Sequence, residues 1–290
     1  MKKFKILIPV FNDWQSLTKL LNEINNQIEN INHEISIIII DDASTFDRQL
    51  KIENLSNITS IKILSMKENK GHARCIAAGL KYIFEKEEFD YVIPMDGDGE
   101  DRPEEIMEFI ETTQNTPDQT TVGERVKRSE AFIFKFCYFF HKILTLVFTG
   151  HSIKFGNFTC LTKSTVKKLV NEKSTWNSFS GALTKIEKNK ISIPSIRGER
   201  YFGPSQMSFP KLINHSLSII SVFKKTVLIR SALFIIIYIL MIKSNASIIT
   251  AIPLILLLVM IYLISSLALR ENMNEFDKSL SNIKEIDKLK

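Results

Sequence analysis

The chain has 290 residues, of which 44% are hydrophobic and 24% are charged. This size permits a sizeable buried core and excludes a small disulfide-stabilised domain, and the 3 cysteines lack the spacing of a disulfide framework or a zinc site. The formal net charge of +6 suits nucleic acid, an anionic membrane surface or a phosphorylated substrate equally, so charge alone does not choose a partner.

Residues 1–205 alternate short β-branched runs with amphipathic helical patterns, which is typical of an α/β domain with a largely parallel sheet. Apolar residues at helical spacing predict core helices after the first and third strands. The predicted strands are 4–10, 35–40, 61–64 and 91–95.

Four later segments have the patterns of membrane-associated helices. Residues 131–150 and 209–223 are apolar but carry polar residues on one side, which is typical of helices at a membrane interface. Residues 226–242 and 247–269 are apolar all round, and each approaches or exceeds the roughly 20 residues that cross a bilayer. They predict two transmembrane helices, with a buried helical hairpin of a soluble protein as the alternative.

Basic residues predict the orientation of this hairpin. Lysines and arginines precede its first helix and follow its second, whereas the short turn between the helices offers Lys243. Because positive loops stay in the cytoplasm, both termini are expected there, in a multi-pass protein of the inner (cytoplasmic) membrane. The predicted organisation is an α/β domain at 1–205 that includes an interfacial helix at 131–150, a juxtamembrane amphipathic segment at 206–225, two transmembrane helices at 226–269, and a cytoplasmic tail at 270–290.

Polar residues directly follow three of the predicted strands, where ligands bind in open α/β sheets. Asn12 and Asp13 follow the first strand, Asp41 and Asp42 the second, and an acidic run at 96–101 the fourth. A helix N-cap or a solvated turn is the common role of any one of these groups. Three such groups at one sheet edge favour a ligand site.

The acidic run is the strongest of these signals. An extended backbone would place Asp96, Asp98 and Glu100 on one side, at a period of two. Three converging carboxylates repel one another unless a divalent cation joins them, and such hard oxygen ligands suit Mg²⁺ or Mn²⁺, which also bind substrate phosphates. An EF-hand calcium loop is disfavoured, because it would need a glutamate where the chain has Met107.

Arginines supply charge of the opposite sign. Arg125, Arg128 and Arg200 are candidates for phosphate binding, since the guanidinium fork matches phosphate oxygens. A surface salt bridge is the ordinary role of an isolated arginine, and we assign it to Arg48, Arg74 and Arg102. An acidic metal site with several separate arginines matches a substrate that carries several phosphates, such as a nucleoside diphosphate with a phosphorylated partner.

These motifs resemble those of the family 2 glycosyltransferases with the GT-A fold, a Rossmann-like nucleotide-diphospho-sugar transferase fold. Within that family the chain is similar to polyprenyl-phosphate sugar transferases of the dolichyl-phosphate mannose synthase type, over nearly its whole length. The segments that carry the resemblance are 8–13, 41–44, 69–74, 77–80, the DxD motif at 96–98, 123–125, 200–205 and the two carboxyl-terminal membrane helices.

The resemblance implies roles for individual residues. It implies metal binding by Asp96 and Asp98, the aspartates of the DxD motif, whereas Glu100, the third predicted metal ligand, stands where the synthases often have a glutamine. The predicted catalytic residues are Asp96, Asp98, Arg125, Arg128 and Arg200, of which Arg128 is predicted from its guanidinium group and not from the resemblance. The implied nucleotide-binding residues are Pro9, Phe11, Asn12, Asp13, Asp41, Asp42, Gly71, Asp96, Gly97 and Ser205.

Three positions depart from the pattern of close relatives. Asn157 and Thr159 stand where an acidic residue and an arginine are common, and Gln206 stands where a lysine is common. Contacts to the acceptor are expected at these positions.

The implied activity is an inverting, metal-dependent transfer of a sugar from a UDP- or GDP-sugar to a polyprenyl phosphate such as undecaprenyl phosphate, at the cytoplasmic membrane face. The implied cofactor is Mg²⁺ or Mn²⁺, and the partners are the donor, the acceptor and the lipid membrane; a homo-oligomer is compatible with this pattern. The alternatives are another lipid or glycan acceptor in cell-envelope polysaccharide synthesis, or a catalytically silent nucleotide-binding membrane regulator.

Two other classes are disfavoured. A dinucleotide oxidoreductase would carry a GxGxxG motif after the first strand, and the sequence has none there. Nucleic-acid binding is not expected, because the positive residues near the membrane helices are explained by topology.

Overall fold

The computed structural model describes residues 1–50, 54–127, 132–204 and 208–290. The strands are β1 (Lys3–Val10), β2 (Glu34–Asp41), β3 (Ser60–Met66), β4 (Tyr91–Pro94), β5 (Thr120–Lys127), β6 (Phe155–Thr162), β7 (Lys190–Ile196) and β8 (Ile283–Lys288). The helices are α1 (Trp14–Gln27), α2 (His72–Lys86), α3 (Ile106–Asn115), α4 (Phe132–Thr149), α5 (Lys163–Val170), α6 (Phe179–Ile186), α7 (Phe209–Ser221), α8 (Lys224–Ile242), α9 (Ile248–Ala268) and α10 (Met273–Asp277).

Within the described residues, the strands form one sheet in the order β7-β5-β6-β4-β1-β2-β3-β8. The strands β4, β1, β2 and β3 are mutually parallel, whereas β6 and β8 run antiparallel to their neighbours β4 and β3. The α/β prediction is confirmed, and the four predicted strands correspond to β1–β4.

The parallel centre of the sheet is buried on both faces because its strands are continuously apolar. In β2, Ile37 and Ile39 face the core shared with α1, and Ile38 and Ile40 face the core shared with α2; all four are essentially fully buried. This alternation holds the carboxyl ends of the central strands in register at one edge.

Strands β5 and β6 were not predicted, since they are rich in threonine and glycine and lack the apolar runs that mark β1–β4. They extend the sheet beyond β4 and place Asn157, on β6, beside the acidic run.

Two helices in the described part of the chain, α8 and α9, are long and apolar enough to cross a membrane. Their side chains are mostly exposed rather than packed in a protein core, as Leu240 (68% exposed) and Ile249 (77% exposed) illustrate. Arg230 of α8 donates a hydrogen bond of 2.7 Å to the carbonyl oxygen of Val147, in the last turn of α4. The basic side chain thereby holds α4 against the hairpin.

The segment 270–290 differs from the predicted tail outside the α/β domain. It contains α10 and β8, and β8 pairs antiparallel with β3 at the edge of the sheet. Phe276 is fully buried and stacks on Trp176 at a ring distance of 5.4 Å. The α/β domain is therefore completed by residues that follow the hairpin, and the boundary at 205 excludes part of it.

Candidate functional site

The carboxyl ends of three adjacent parallel strands meet at one edge of the sheet. Val10 at the end of β1 lies opposite Asp41 at the end of β2, and β4 flanks β1 on its other side. Asp13, Asp42 and Asp96, which follow these strands, are therefore neighbours. The structure brings together side chains that are far apart in the sequence.

Asp42 anchors the loop that leads into α2. Its carboxylate accepts hydrogen bonds from the backbone N–H groups of Lys70 (2.8 Å) and Gly71 (2.9 Å). Burial raises the pKa of Asp42, against the opposing effect of these hydrogen bonds. Gly71 has φ of +89°, a conformation that other residues rarely adopt. Asp42 thus holds in place the loop before α2, which forms one wall of the site.

Asn12 and Asp41 shape a second wall. The Asn12 Oδ1 atom accepts hydrogen bonds from the N–H groups of Thr45 (2.8 Å) and Phe46 (3.0 Å), and Asp41 Oδ1 accepts one from Ser44 N–H (2.9 Å). Both side chains are therefore committed to holding the loop that follows β2.

A small pocket lies beside Asp42, between the end of β1 and the start of α2. Phe11, at its mouth, is 47% exposed, whereas Asp42 and Cys75 at its base are buried. The pocket is lined by Pro9, Val10, Phe11, Asp42, His72 and Cys75.

The acidic run lies beside this pocket. The Asp96 Oδ1 atom is 3.3 Å from Nε2 of His72 and 3.2 Å from Nδ2 of Asn157. Asp101 is buried, and its Oδ2 atom accepts a hydrogen bond of 2.9 Å from the Asp96 N–H group. At Gly97, a Cβ atom would lie 3.2 Å from the Pro9 carbonyl oxygen, so a larger residue would force a shift of a few tenths of an ångström between the run and β1.

The carboxylates of the run compete for ionisation. Burial opposes the charge on Asp96, but His72, Arg197 and Arg125 outweigh it and hold the Asp96 pKa well below its usual range. Burial and the charge of Asp96 raise the pKa of Asp98 to about 6.

Burial and Asp96 also raise the pKa of Asp101, to about 8. Such mutual repulsion fits a divalent cation at Asp96 and Asp98. Asp101 instead stabilises the loop, because its carboxylate accepts the hydrogen bond from the Asp96 N–H group.

The structure directs Glu100 away from these carboxylates. A turn at Gly97–Asp98 and a φ of +89° at Gly99 interrupt the extended backbone on which the period-two prediction depended. The Glu100 carboxylate forms an ion pair with Arg197. In the part of the chain that the structure describes, no three His, Cys, Asp or Glu side chains are arranged to hold one metal.

Arg200 bridges two carboxylates across the site. Its Nη1 atom is 2.8 Å from Asp98 Oδ2, and its Nη2 atom pairs with the Asp13 carboxylate. Asp13 also caps α1, since its Oδ1 atom accepts a hydrogen bond of 3.4 Å from Ser16 N–H. The arginine therefore faces the acidic run, whereas Arg102 makes the surface pair predicted for it, with Glu104 at 3.5 Å.

Of the other two predicted phosphate-binding arginines, the structure describes Arg125 but not Arg128. The guanidinium of Arg125 lies over Gly156, where a Cβ atom would be 2.5 Å from Nη2; its charge helps to lower the pKa of Asp96 and opposes the rise in the pKa of Asp101. Arg128 and Ser205 lie outside the described residues.

Two side chains of the site, His72 and Asn157, were not predicted from the sequence to contact Asp96. Asn157 Nδ2 is 2.7 Å from His72 Nε2, and both contact Asp96. Burial alone would lower the pKa of His72, but Asp96, Asp101 and Asp98 raise it. The position of His72 directly after a glycine, at the start of a helix beside the site, is the signal that could have identified it.

A third group of contacts was not predicted from the sequence, because these contacts join segments that are far apart in the chain. The loop after β7 is fastened to the acidic run by backbone hydrogen bonds from Gly198 N–H to the Glu100 carbonyl oxygen (2.8 Å) and from Tyr201 N–H to that of Asp98 (2.9 Å). Glu105 holds the start of this loop, since its Oε1 atom accepts a hydrogen bond of 2.8 Å from Ile196 N–H.

The sequence profile of glycosyl transferase family 2 matches residues 5–153. A curated relative, the undecaprenyl-phosphate 4-deoxy-4-formamido-L-arabinose transferase of Proteus mirabilis, is 26% identical over 227 residues. The match covers 74% of this chain and spans 65% of that protein's length.

Solved structures with a similar fold include two sugar transferases. Glucosyl-3-phosphoglycerate synthase from Mycobacterium tuberculosis, in complex with Mn²⁺, UDP-glucose and phosphoglyceric acid, has a TM-score of 0.54 at 11% identity, over 78% of this chain and 80% of that chain. Mannosyl-3-phosphoglycerate synthase from Rubrobacter xylanophilus has a TM-score of 0.53 at 11% identity, over 76% and 72% of the two chains. At these identities the structures establish the fold alone.

Proposed function

Because the chain belongs to glycosyl transferase family 2 and is a glycosyltransferase with the GT-A fold, we propose that it transfers a sugar from a UDP- or GDP-sugar to a polyprenyl phosphate at a membrane surface. The observation that carries this proposal is the contact of Arg200 with Asp98, in the acidic run that also contains Asp96, on a domain whose chain continues into an apolar hairpin. Its acceptor is supported by the undecaprenyl-phosphate transferase among the relatives.

The pocket beside Phe11 supports the nucleotide end of the donor. Its exposed aromatic ring and the apolar side of Pro9 offer surfaces for a planar base. The diphosphate would then extend toward the acidic run, on the other side of His72. This path leads from an apolar pocket to a charged one, as a nucleotide sugar requires.

Asp96 and Asp98 are the residues that would hold Mg²⁺ or Mn²⁺. Two carboxylates leave several coordination positions for water and for the oxygens of a diphosphate, which is the usual mode of binding for these ions. When bound, the ion neutralises charge that develops on the departing diphosphate. Glu100 is not included in this set, because it pairs with Arg197.

The acceptor needs little activation by the protein. A phosphate monoester has its second pKa near ~6, so at pH 7 it is largely dianionic and attacks the anomeric carbon without a strong base. The amide of Asn157 is compatible with this chemistry, although close relatives often carry an acid there. A single attack from the face opposite the diphosphate inverts the anomeric configuration.

The hairpin would bring the enzyme to its lipid acceptor. The pairing of β8 with β3 of the α/β domain supports a hairpin, α8 and α9, whose two ends lie on the same side of the membrane. The concentration of lysine and arginine at these two ends supports the cytoplasmic side.

Arg200→Lys should lower kcat/KM by roughly ten- to a hundredfold, the effect of losing one charge-assisted hydrogen bond. Lysine keeps the positive charge but lacks the planar guanidinium fork, so it loses the two-nitrogen geometry by which Arg200 contacts Asp13 and Asp98 and would bind a phosphate. Steady-state kinetics of the full chain in detergent would measure the loss, at an unchanged melting temperature.

The matched control is Arg102→Lys, since Arg102 forms its ion pair with the neighbouring Glu104 rather than with Asp13 or Asp98. If Arg200→Lys stays within twofold of the wild type, Arg200 has no role in phosphate binding.

The proposed activity itself is tested by incubating the full chain with UDP- and GDP-sugars, Mn²⁺ and undecaprenyl phosphate. Formation of a polyprenyl-phosphate sugar with an inverted anomeric centre is the expected result. Transfer to a membrane extract but not to undecaprenyl phosphate would indicate another acceptor. Nucleotide binding without any transfer would instead favour a silent regulator.

A further inference from the structure

Residues 270–290, which we call the C-terminal strap, continue directly from the membrane helix α9 and fold onto the α/β domain. Their strand β8 pairs with β3 from Lys62, opposite Lys288, to Met66, opposite Ile283. The segment that follows β3, residues 67–71, contains the N–H groups that bind Asp42 in the proposed donor site. The strap is thus connected to the site through β3 and residues 67–71, which follow it.

The strap holds this segment from the side opposite Asp42. Lys67 N–H donates to the Asn282 carbonyl oxygen at 2.7 Å, and Asn282 Nδ2 donates to the Glu68 carbonyl oxygen at 3.1 Å. Residues 67–69 are exposed, so burial of apolar surface contributes little to their conformation. Hydrogen bonds to Asn282 on one side and to Asp42 on the other must therefore maintain it.

The strap also holds the first turn of α2. Glu275 Oε2 accepts a hydrogen bond of 3.0 Å from Trp176 Nε1 and is 3.5 Å from Nη2 of Arg74. The Arg74 guanidinium lies over the Trp176 ring, 5.2 Å from its centroid. Arg74 is two residues after His72 and next to Cys75, both of which line the pocket. Glu275 therefore fixes the helix end that forms one side of the pocket.

We infer that Asn282 and Glu275 of the strap are positioning residues for donor binding, acting through residues 67–74. The inference rests on the proposed function, because it takes the pocket beside Asp42 to be the nucleotide site. It gives the strap a role beyond covering the exposed edge of β3, which any paired strand would do. It also links the membrane helix α9 physically to the nucleotide pocket.

The test uses two nearly isosteric variants of the full chain, Asn282→Asp and Glu275→Gln. Aspartate cannot donate to the Glu68 carbonyl oxygen, and glutamine keeps an acceptor for Trp176 but loses the charge that faces Arg74. Binding of UDP and of GDP, each with Mn²⁺, is measured by calorimetry. For the nucleotide that binds the wild type, each variant should raise the Kd roughly five- to tenfold, the size of one hydrogen bond. The kcat at saturating donor should be unchanged.

Lys284→Ala is the matched control, since Lys284 is an exposed residue of the same strap, on β8. The control should bind nucleotide as the wild type does, and melting temperatures should show that all three variants are folded. Variants that bind nucleotide with the wild-type Kd, or that lose kcat at an unchanged Kd, would overturn the inference. Failure of the proposed function is distinguishable, because it shows in the wild-type chain itself, as no binding of either nucleotide or as binding without sugar transfer.

Discussion

Asp98→Asn should reduce sugar transfer on the order of 10³-fold, because the substitution removes one of the two charges proposed to hold the metal beside the departing diphosphate. Asparagine has nearly the same shape and keeps one of the two acceptor oxygens, which receive hydrogen bonds from Nη1 of Arg200 (2.8 Å) and from Glu100 N–H (3.0 Å). The loss should therefore arise from charge rather than from a collapsed loop. Initial rates at saturating Mg²⁺ and Mn²⁺ would measure it.

The Asp98→Asn substitution should not lower the stability of the fold. Burial and the charge of Asp96 raise the pKa of Asp98 to about 6, so at pH 7 its ionised form opposes folding. A neutral side chain relieves this repulsion, and the melting temperature should stay the same or rise. A fall in melting temperature would mean that the loss of activity reports misfolding.

Glu104→Gln is the control for this prediction. It makes the same chemical change in the same loop, but the Glu104 side chain is 48% exposed and pairs with Arg102 rather than with the acidic cluster. Transfer should remain near the wild-type rate. Weakened binding of Mn²⁺ to Asp98→Asn, measured by electron paramagnetic resonance, gives a readout apart from turnover. An Asp98→Asn enzyme with normal turnover would refute the metal assignment.

Replacing residues 226–269 by a flexible glycine-serine linker should lower transfer to undecaprenyl phosphate in vesicles by about 10²- to 10⁴-fold. The hairpin is proposed to hold the enzyme on the membrane that contains the acceptor, and the effective concentration of acceptor is lost without it. Transfer to a short, water-soluble polyprenyl phosphate should be retained, since the donor site is untouched. Equal use of vesicle-embedded acceptor by both proteins would rule out the anchoring role.

The linker variant must keep residues 270–290, and a chain ending at residue 225 provides the contrast. The shorter chain lacks β8 and Phe276, whose side chain is fully buried against Trp176. Removing a buried phenylalanine alone typically costs about 3–5 kcal/mol, a large part of the ~5–15 kcal/mol that stabilises a domain. We expect the shorter chain to fail to fold, which circular dichroism and thermal unfolding would show.

The sequence alone determined the α/β class, the four central strands and the two apolar helices. These features depend on local patterns: uninterrupted β-branched runs become strands buried on both faces, and long uniformly apolar runs become exposed apolar helices. The same patterns identified which strand ends carry Asp13, Asp42 and Asp96. Because neighbouring parallel strands present their carboxyl ends at one edge, the strand pattern was enough to predict that these aspartates would meet.

Tertiary structure alone decided how the site is completed. His72 and Asn157 are 85 positions apart, yet both contact Asp96, because β6 pairs with β4 and brings Asn157 to the acidic run. Glu100 turns toward Arg197, a partner from a distant loop that no local period reveals. The polar strand β8 has no strong pattern of its own, and it becomes a strand because the open edge of β3 offers unpaired backbone groups. Such contacts join segments far apart in the chain, so they depend on which edges and charges the folded domain leaves available rather than on the residues nearby in the sequence.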